Sequence, residues 1–186
     1  LGEKWYIMEM DNKPYPCCRS THCTIDGTLS LRRQGLRAED VESIEVRTYL
    51  VGNKQCGMSD GSRNPKKPVD AKFSTPFTVA AALLYGEVTL EHFKEEYILR
   101  PEIQELLHKV TVVTDGRFTE KYPDHWGCRV IATCKDGRVM EQEVEDASGS
   151  VYNPLSEEQV RSKVTALVRE TCGAQAEEIV AAILSL

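Results

Sequence analysis

Apolar and polar positions alternate most clearly in "VESIEVRTYLV", Val41 to Val51, where Ile44, Val46, Thr48 and Leu50 fall on one side. A period of two sends successive side chains to opposite faces, so this segment is expected to be a strand with one buried face. "KVTVVTD" (109–115), "CRVIATCKD" (128–136) and "RVMEQEVE" (138–145) read as three further strands, the last two joined by the hairpin signal Asp136-Gly137. "KWYIMEM" (4–10) is aromatic and aliphatic and reads as a short strand as well. From about Ser20 to Gln34 the period becomes helical, with Ile25, Leu29 and Leu36 near one face and Ser20 or Thr21 as N-cap.

"STPFTVAAALLYG" predicts a buried helix: Ser74 or Thr75 caps it, Pro76 suits its first turn and Gly86 stops it. Shorter helical stretches follow at Leu90–Glu96 and Pro101–His108. "NPLSEEQV" opens a helix capped by Ser156 that stops at Gly173, and a last helix runs from about Ala174 to Leu184. Residues 52–71 are polar and rich in Gly and Pro, so a long loop is expected there. The order of elements predicts an α+β fold, a mostly antiparallel sheet covered by helices. The apolar end "EEIVAAILSL" needs a partner surface, in this chain or outside it.

Composition narrows the class without changing this picture. At 186 residues, 41% hydrophobic and 28% charged, the chain matches an ordinary globular protein and excludes general disorder. A net charge of −6 without a basic face argues against nucleic acid as partner. No run approaches the roughly 18 apolar residues of a membrane span. The start "LGEKWYIMEM" has no basic n-region or apolar h-region and no initiator methionine, so the chain reads as processed or as part of something longer. Seven irregularly spaced cysteines fit reduced thiols and a cytoplasmic location better than a secreted disulfide framework.

The densest chemistry lies in "KPYPCCRSTHCTID", Lys13 to Asp26. Cys17-Cys18 and His22-Cys23 are adjacent pairs, a poor geometry for tetrahedral zinc, whose ligand pairs stand two to four residues apart. Cys17 and Cys18 precede a helix start between Lys13 and Arg19, where a thiolate could be stabilised, but free cysteine is more often a small packed residue. There is no CxxC redox motif. Lys13, Arg19 and His22 could bind an anion and move a proton near neutral pH; a surface lysine, a salt-bridged arginine and a packed histidine account for them equally well. Asp115, Asp124 and His125 form an Asp/His set that could be catalytic, but turn chemistry accounts for Asp115-Gly116 and Pro123-Asp124 just as well; His92 and His108 are expected to be solvated.

Taken together, "KPYPCCRSTHCTID", "AKFSTPFTVAAALLYGEVTLEHF", "VTVVTD", "CKDGR" and "NPLSEEQVRSKV" resemble, in order and spacing, the MmgE/PrpD family. The resemblance covers essentially the whole chain. It implies that residues 1–150 are the smaller α+β domain of that family and that 151–186 are C-terminal helices returning to a large helical domain absent from this chain. It implies a cofactor-independent lyase, metal-free, taking a small di- or tricarboxylate by proton abstraction beside a carboxylate, in a cytoplasmic homodimer. An epimerase or isomerase shares that step, and a non-catalytic binding or assembly module with a separate helical partner is the reading from another class. By resemblance Lys13 and His22 are catalytic, and Arg19, Ser74 and Phe77 bind substrate. Phe77 stands where some members carry a tyrosine, so their specificities do not transfer.

Overall fold

The computed structural model describes residues 2–185, which group into two compact units. One is Tyr15–Ala147; the other joins the described residues up to Pro14 with those from Ser148 on.

The larger unit opens with a 3-10 turn at Arg19–Thr21 that runs into helix α1 (His22–Arg33). Strand β1 (Val41–Thr48) is followed by three short helical pieces, α2 (Leu50–Cys56), α3 (Asp60–Arg63) and α4 (Pro68–Lys72), and then by the buried helix α5 (Thr75–Tyr85). Next come α6 (Glu95–Ile98), α7 (Pro101–Leu107), β2 (Val110–Thr114), α8 (Gly116–Lys121), β3 (Cys128–Cys134) and β4 (Val139–Val144). The sheet order is β2-β1-β3-β4. β1 runs parallel to β2 and antiparallel to β3, and β3 and β4 form the expected antiparallel hairpin. Gly137 in that hairpin takes φ +85°, a left-handed conformation glycine adopts at no steric cost.

One face of the sheet is dry. Ile44, Val46, Cys128, Val130, Ala132 and Cys134 are buried there, with α1 and α5 laid over it. Gly27 allows α1 to approach: a Cβ at that position would stand 3.0 Å from Cγ2 of Val130. The opposite face is polar, with Arg129 pairing Glu141 at 2.5 Å. Such alternation is the mark of an antiparallel sheet covered on one side. Helix α5 is capped as expected, the Ser74 hydroxyl accepting from the Phe77 N–H at 3.0 Å, and it ends on Gly86 at φ +78°.

In the smaller unit Ser156 and Gln159 form a reciprocal capping box for α9 (Glu157–Cys172), and α10 (Ala176–Leu184) packs back on it. Val160, Val164 and Leu167 form an exposed stripe on α9, and Ile183 and Leu184 are exposed on α10.

Three expectations are corrected. Residues 4–10 make no strand: Tyr6–Glu9 is a 3-10 turn whose apolar side chains are exposed, and among the described residues no strand pairs with it to complete a ladder. Residues 52–71 are not one loop but three short helical pieces, α3 capped by Ser59 and α4 opened by Pro68. His92 is not solvated: it is buried, stacked on Tyr85 at 4.6 Å, and its Nδ1 accepts from the Thr89 N–H at 3.0 Å. β1 also ends earlier than its alternation implies, because the chain turns into α2 at Leu50.

Candidate functional site

Within the larger unit, the turn before α1 is held by its backbone. The Cys18 N–H donates to the Lys72 carbonyl at 2.9 Å, which ties the turn before α1 to the end of α4, two residues ahead of Ser74. Around it side chains form a chain of hydrogen bonds. The Tyr49 hydroxyl donates to Ser20 Oγ at 2.9 Å, and the Ser20 hydroxyl donates to Gln55 Oε1 at 2.8 Å. The Tyr15 hydroxyl donates to Asp26 Oδ1 at 2.5 Å, and the Tyr15 ring meets the edge of His22 at 5.2 Å between centroids. Burial, and after it the Asp26 carboxylate, push the Tyr15 phenol well above its ordinary range. Burial does the same to Tyr49.

The candidate residues divide by exposure. Lys13 is exposed and lies in the smaller unit, while Arg19 is half-buried in the larger. His22 is fully buried at the start of α1. Ser74 is fully buried too, its hydroxyl donating to the Ser62 carbonyl at 2.5 Å while it caps α5. Phe77 has no exposed surface and its ring packs 5.5 Å from that of Phe93. Cations in reach of solvent are therefore Lys13 and Arg19, and the others lie beneath the surface.

Cys17, Cys23, Cys56, Cys128 and Cys134 are buried, whereas Cys18 and Cys172 are half-buried. Cys17 is buried, with its Sγ 3.2 Å from Thr21 Oγ1. A hydrogen bond with Cys18, and then burial, hold the Cys56 thiol far above its ordinary value; burial first, then Cys23, does so for Cys128. Neither of those two sulfurs offers a thiolate near neutral pH. Among the described residues no three His, Cys, Asp or Glu side chains converge as metal ligands. His125 pairs with Asp146 at 3.0 Å, and Asp115 caps α8 by accepting from the Arg117 N–H at 2.9 Å.

Tyr15 and Asp26 escaped the sequence reading as a pair. Both stand in the quoted segment, eleven positions apart, but nothing in a one-dimensional pattern says that a residue before a helix folds back onto its first turns. Tyr49 and Gln55 escaped for a plainer reason: they come from a stretch expected to be strand end and loop.

Residues 15–186 match the MmgE/PrpD C-terminal domain, so Lys13 stands just ahead of the matched stretch. Among curated proteins, the chain is 25% identical to the mouse (Mus musculus) cis-aconitate decarboxylase over 171 residues, covering 87% of this chain and 34% of that protein. It is 28% identical to the mitochondrial 2-methylcitrate dehydratase of Yarrowia lipolytica over 144 residues, covering 75% and 26% respectively. The human (Homo sapiens) cis-aconitate decarboxylase is 26% identical over 170 residues, covering 87% of this chain and 34% of that protein. The chain thus spans about a third or less of the length of the curated relatives it matches.

Proposed function

The chain belongs to the MmgE/PrpD family, as its C-terminal domain, and from that premise we propose that it supplies one side of the active site of a lyase acting on small di- or tricarboxylates. The observation that carries this reading is the match to the family's C-terminal domain over residues 15–186, together with relatives named as a decarboxylase and a dehydratase. The remainder of the site comes, in this proposal, from a helical domain that the α9–α10 stripe covers. Its partners are that domain, a small polycarboxylate and a second copy of the protein, in the cytoplasm.

Removing a proton beside a carboxylate builds negative charge next to negative charge. A fixed cation at the carboxylate lowers that cost, and more in the transition state than in the ground state. Lys13 is proposed to be that cation. Arg19, half-buried on the turn before α1, keeps in this proposal the substrate-binding role that the resemblance implies, through its planar fork of donors. The catalytic, proton-moving role first read at His22 meets its full burial, so in this proposal His22 supports the turn through its ring contact with Tyr15. Ser74 and Phe77, first read as substrate-binding, are buried, Ser74 capping α5 and Phe77 packed on Phe93. No metal or organic cofactor enters the proposal.

The experiment is turnover of cis-aconitate and of 2-methylcitrate by the protein that carries this chain at its full natural length. Loss of either substrate with release of CO2 or water, unchanged after exhaustive dialysis against a chelator, supports the reading. Failure to consume both substrates under conditions where the protein is folded overturns it.

A further inference from the structure

We propose, resting on the assignment of Lys13 above, that Gly149 and Asp11 are positioning residues that hold the Lys13 backbone in place. Lys13 lies in no helix or strand, so no ladder fixes it. What fixes it is a turn from a distant part of the sequence, within the same unit. The Asn12 N–H donates to the Gly149 carbonyl at 2.7 Å, and the Val151 N–H donates to Asp11 Oδ1 at 3.3 Å. The turn is itself closed: the Gly149 N–H donates to the Asn153 carbonyl at 2.8 Å, and the Asn153 N–H is shared between the Ser150 carbonyl at 3.1 Å and Ser150 Oγ at 3.0 Å.

Two features make position 149 specific for glycine. Its φ is +82°, where an L-residue with a side chain is strained. Independently, the Asn12 carbonyl oxygen occupies the space a Cβ would need, and Cδ of Pro14 would stand 3.1 Å from that Cβ. The two obstructing residues are the immediate neighbours of Lys13 on either side. Pro14 adds its own constraint, since the residue before a proline is held to extended conformations. A methyl group at 149 therefore cannot be accommodated without moving the backbone from which the lysine projects.

The consequence is read in catalysis, because a displacement of about 1 Å of a charge-stabilising group costs on the order of 100-fold in rate. With cis-aconitate and 2-methylcitrate as probe substrates in the full-length protein, Gly149→Ala is expected to lower kcat by about that factor. The Asn12 amide is expected to lose its protection against hydrogen exchange, while the amides of the strand β3 keep theirs. Asp11→Ala is expected to lower kcat as well, and Asp11→Asn, which keeps the Oδ1 acceptor, to retain it. The Asp11 pair carries the test should Gly149→Ala fail to fold.

Wild-type rates in folded Gly149→Ala and in Asp11→Ala, beside an inactive Lys13→Ala, would overturn the positioning role and leave the Lys13 assignment standing. Wild-type rates in Lys13→Ala would overturn that assignment and the inference with it. Equal loss in Asp11→Asn and Asp11→Ala would also contradict the proposal, since the acceptor would then not be what matters.

Discussion

The half-buried Tyr15 hydroxyl and the buried Ser74 hydroxyl and His92 ring are three polar groups whose partners decide what they can do. Ser74 has two tasks, accepting from the Phe77 N–H and donating to the Ser62 carbonyl. Ser74→Ala removes a cap worth about 0.5–2 kcal/mol and strands a buried carbonyl. A loss of about 2–3 kcal/mol is expected in urea unfolding, with the slope unchanged. A loss within experimental error would show that the cap is not used.

His92 gives a pH prediction. Burial, the largest influence, lowers its pKa from the ordinary 6.5, against the opposing charges of Glu87 and Glu91 and with the help of Arg100. A depressed folded-state pKa means that the unfolded chain binds the proton first as pH falls. The stability held above the ordinary value is therefore lost as pH drops below it toward the lowered folded pKa. The structural reason is that Nδ1 accepts from the Thr89 N–H, and protonation would turn it into a donor. Melting temperature measured from about pH 7.5 down to pH 5 should fall in the wild type, and less steeply in His92→Gln. Parallel profiles would remove His92 as the cause.

At the scale of elements, what was legible followed periodicity and what was not followed polarity. β3 buries every second residue, and Cys128 and Cys134, six apart, share the dry face as their even spacing requires. The capping of α5 and α9 was written in Ser74 and Ser156. The parallel pairing of β2 with β1 was not legible, because strand direction depends on how the helices between them cross over, not on either strand's own pattern. Residues 52–71 read as loop because α3 and α4 are only four and five residues long, too short to show a helical period. Residues 4–10 read as strand from their apolar content, which carries no information about whether a neighbouring strand exists. Of the candidate site, residue types and local order were legible, while burial, which separates Lys13 and Arg19 from His22, Ser74 and Phe77, needed the fold.

Helix α1 offers a test at this scale. Gly27 faces Val130 Cγ2 at 3.0 Å and Val144 Cγ2 at 3.6 Å from an added Cβ. Gly27→Ala asks Val130 to yield by a few tenths of an ångström, a strain that the better helix propensity of alanine offsets in part. Gly27→Leu drives a whole side chain between α1 and the sheet and should cost about 1–3 kcal/mol or more by urea unfolding. A leucine variant as stable as the wild type would mean that α1 does not rest on β3 as described.

For the whole molecule, the proposal turns on a helical partner domain. Val160, Val164 and Leu167 share one face of α9, and Leu167 is 46% exposed and Ile183 58%. Among the described residues no helix is long and apolar enough to cross a membrane, so this stripe is not explained as a span. The helical domain proposed above would cover it. The 186-residue chain alone should then bind an apolar dye such as ANS strongly, and Val164→Lys with Leu167→Lys should abolish most of that binding. Equal binding by both would place the apolar surface elsewhere.

The central claim, that this domain contributes a charge-stabilising lysine to a polycarboxylate lyase, is met most directly by one comparison. Turnover of cis-aconitate and 2-methylcitrate is measured for the full-length protein, for its Lys13→Ala variant and for the 186-residue chain alone. The account predicts activity in the first, a fall on the order of 100- to 1000-fold in the second, and none in the third. A Lys13→Ala rate equal to the wild type, or turnover by the chain alone, would contradict it.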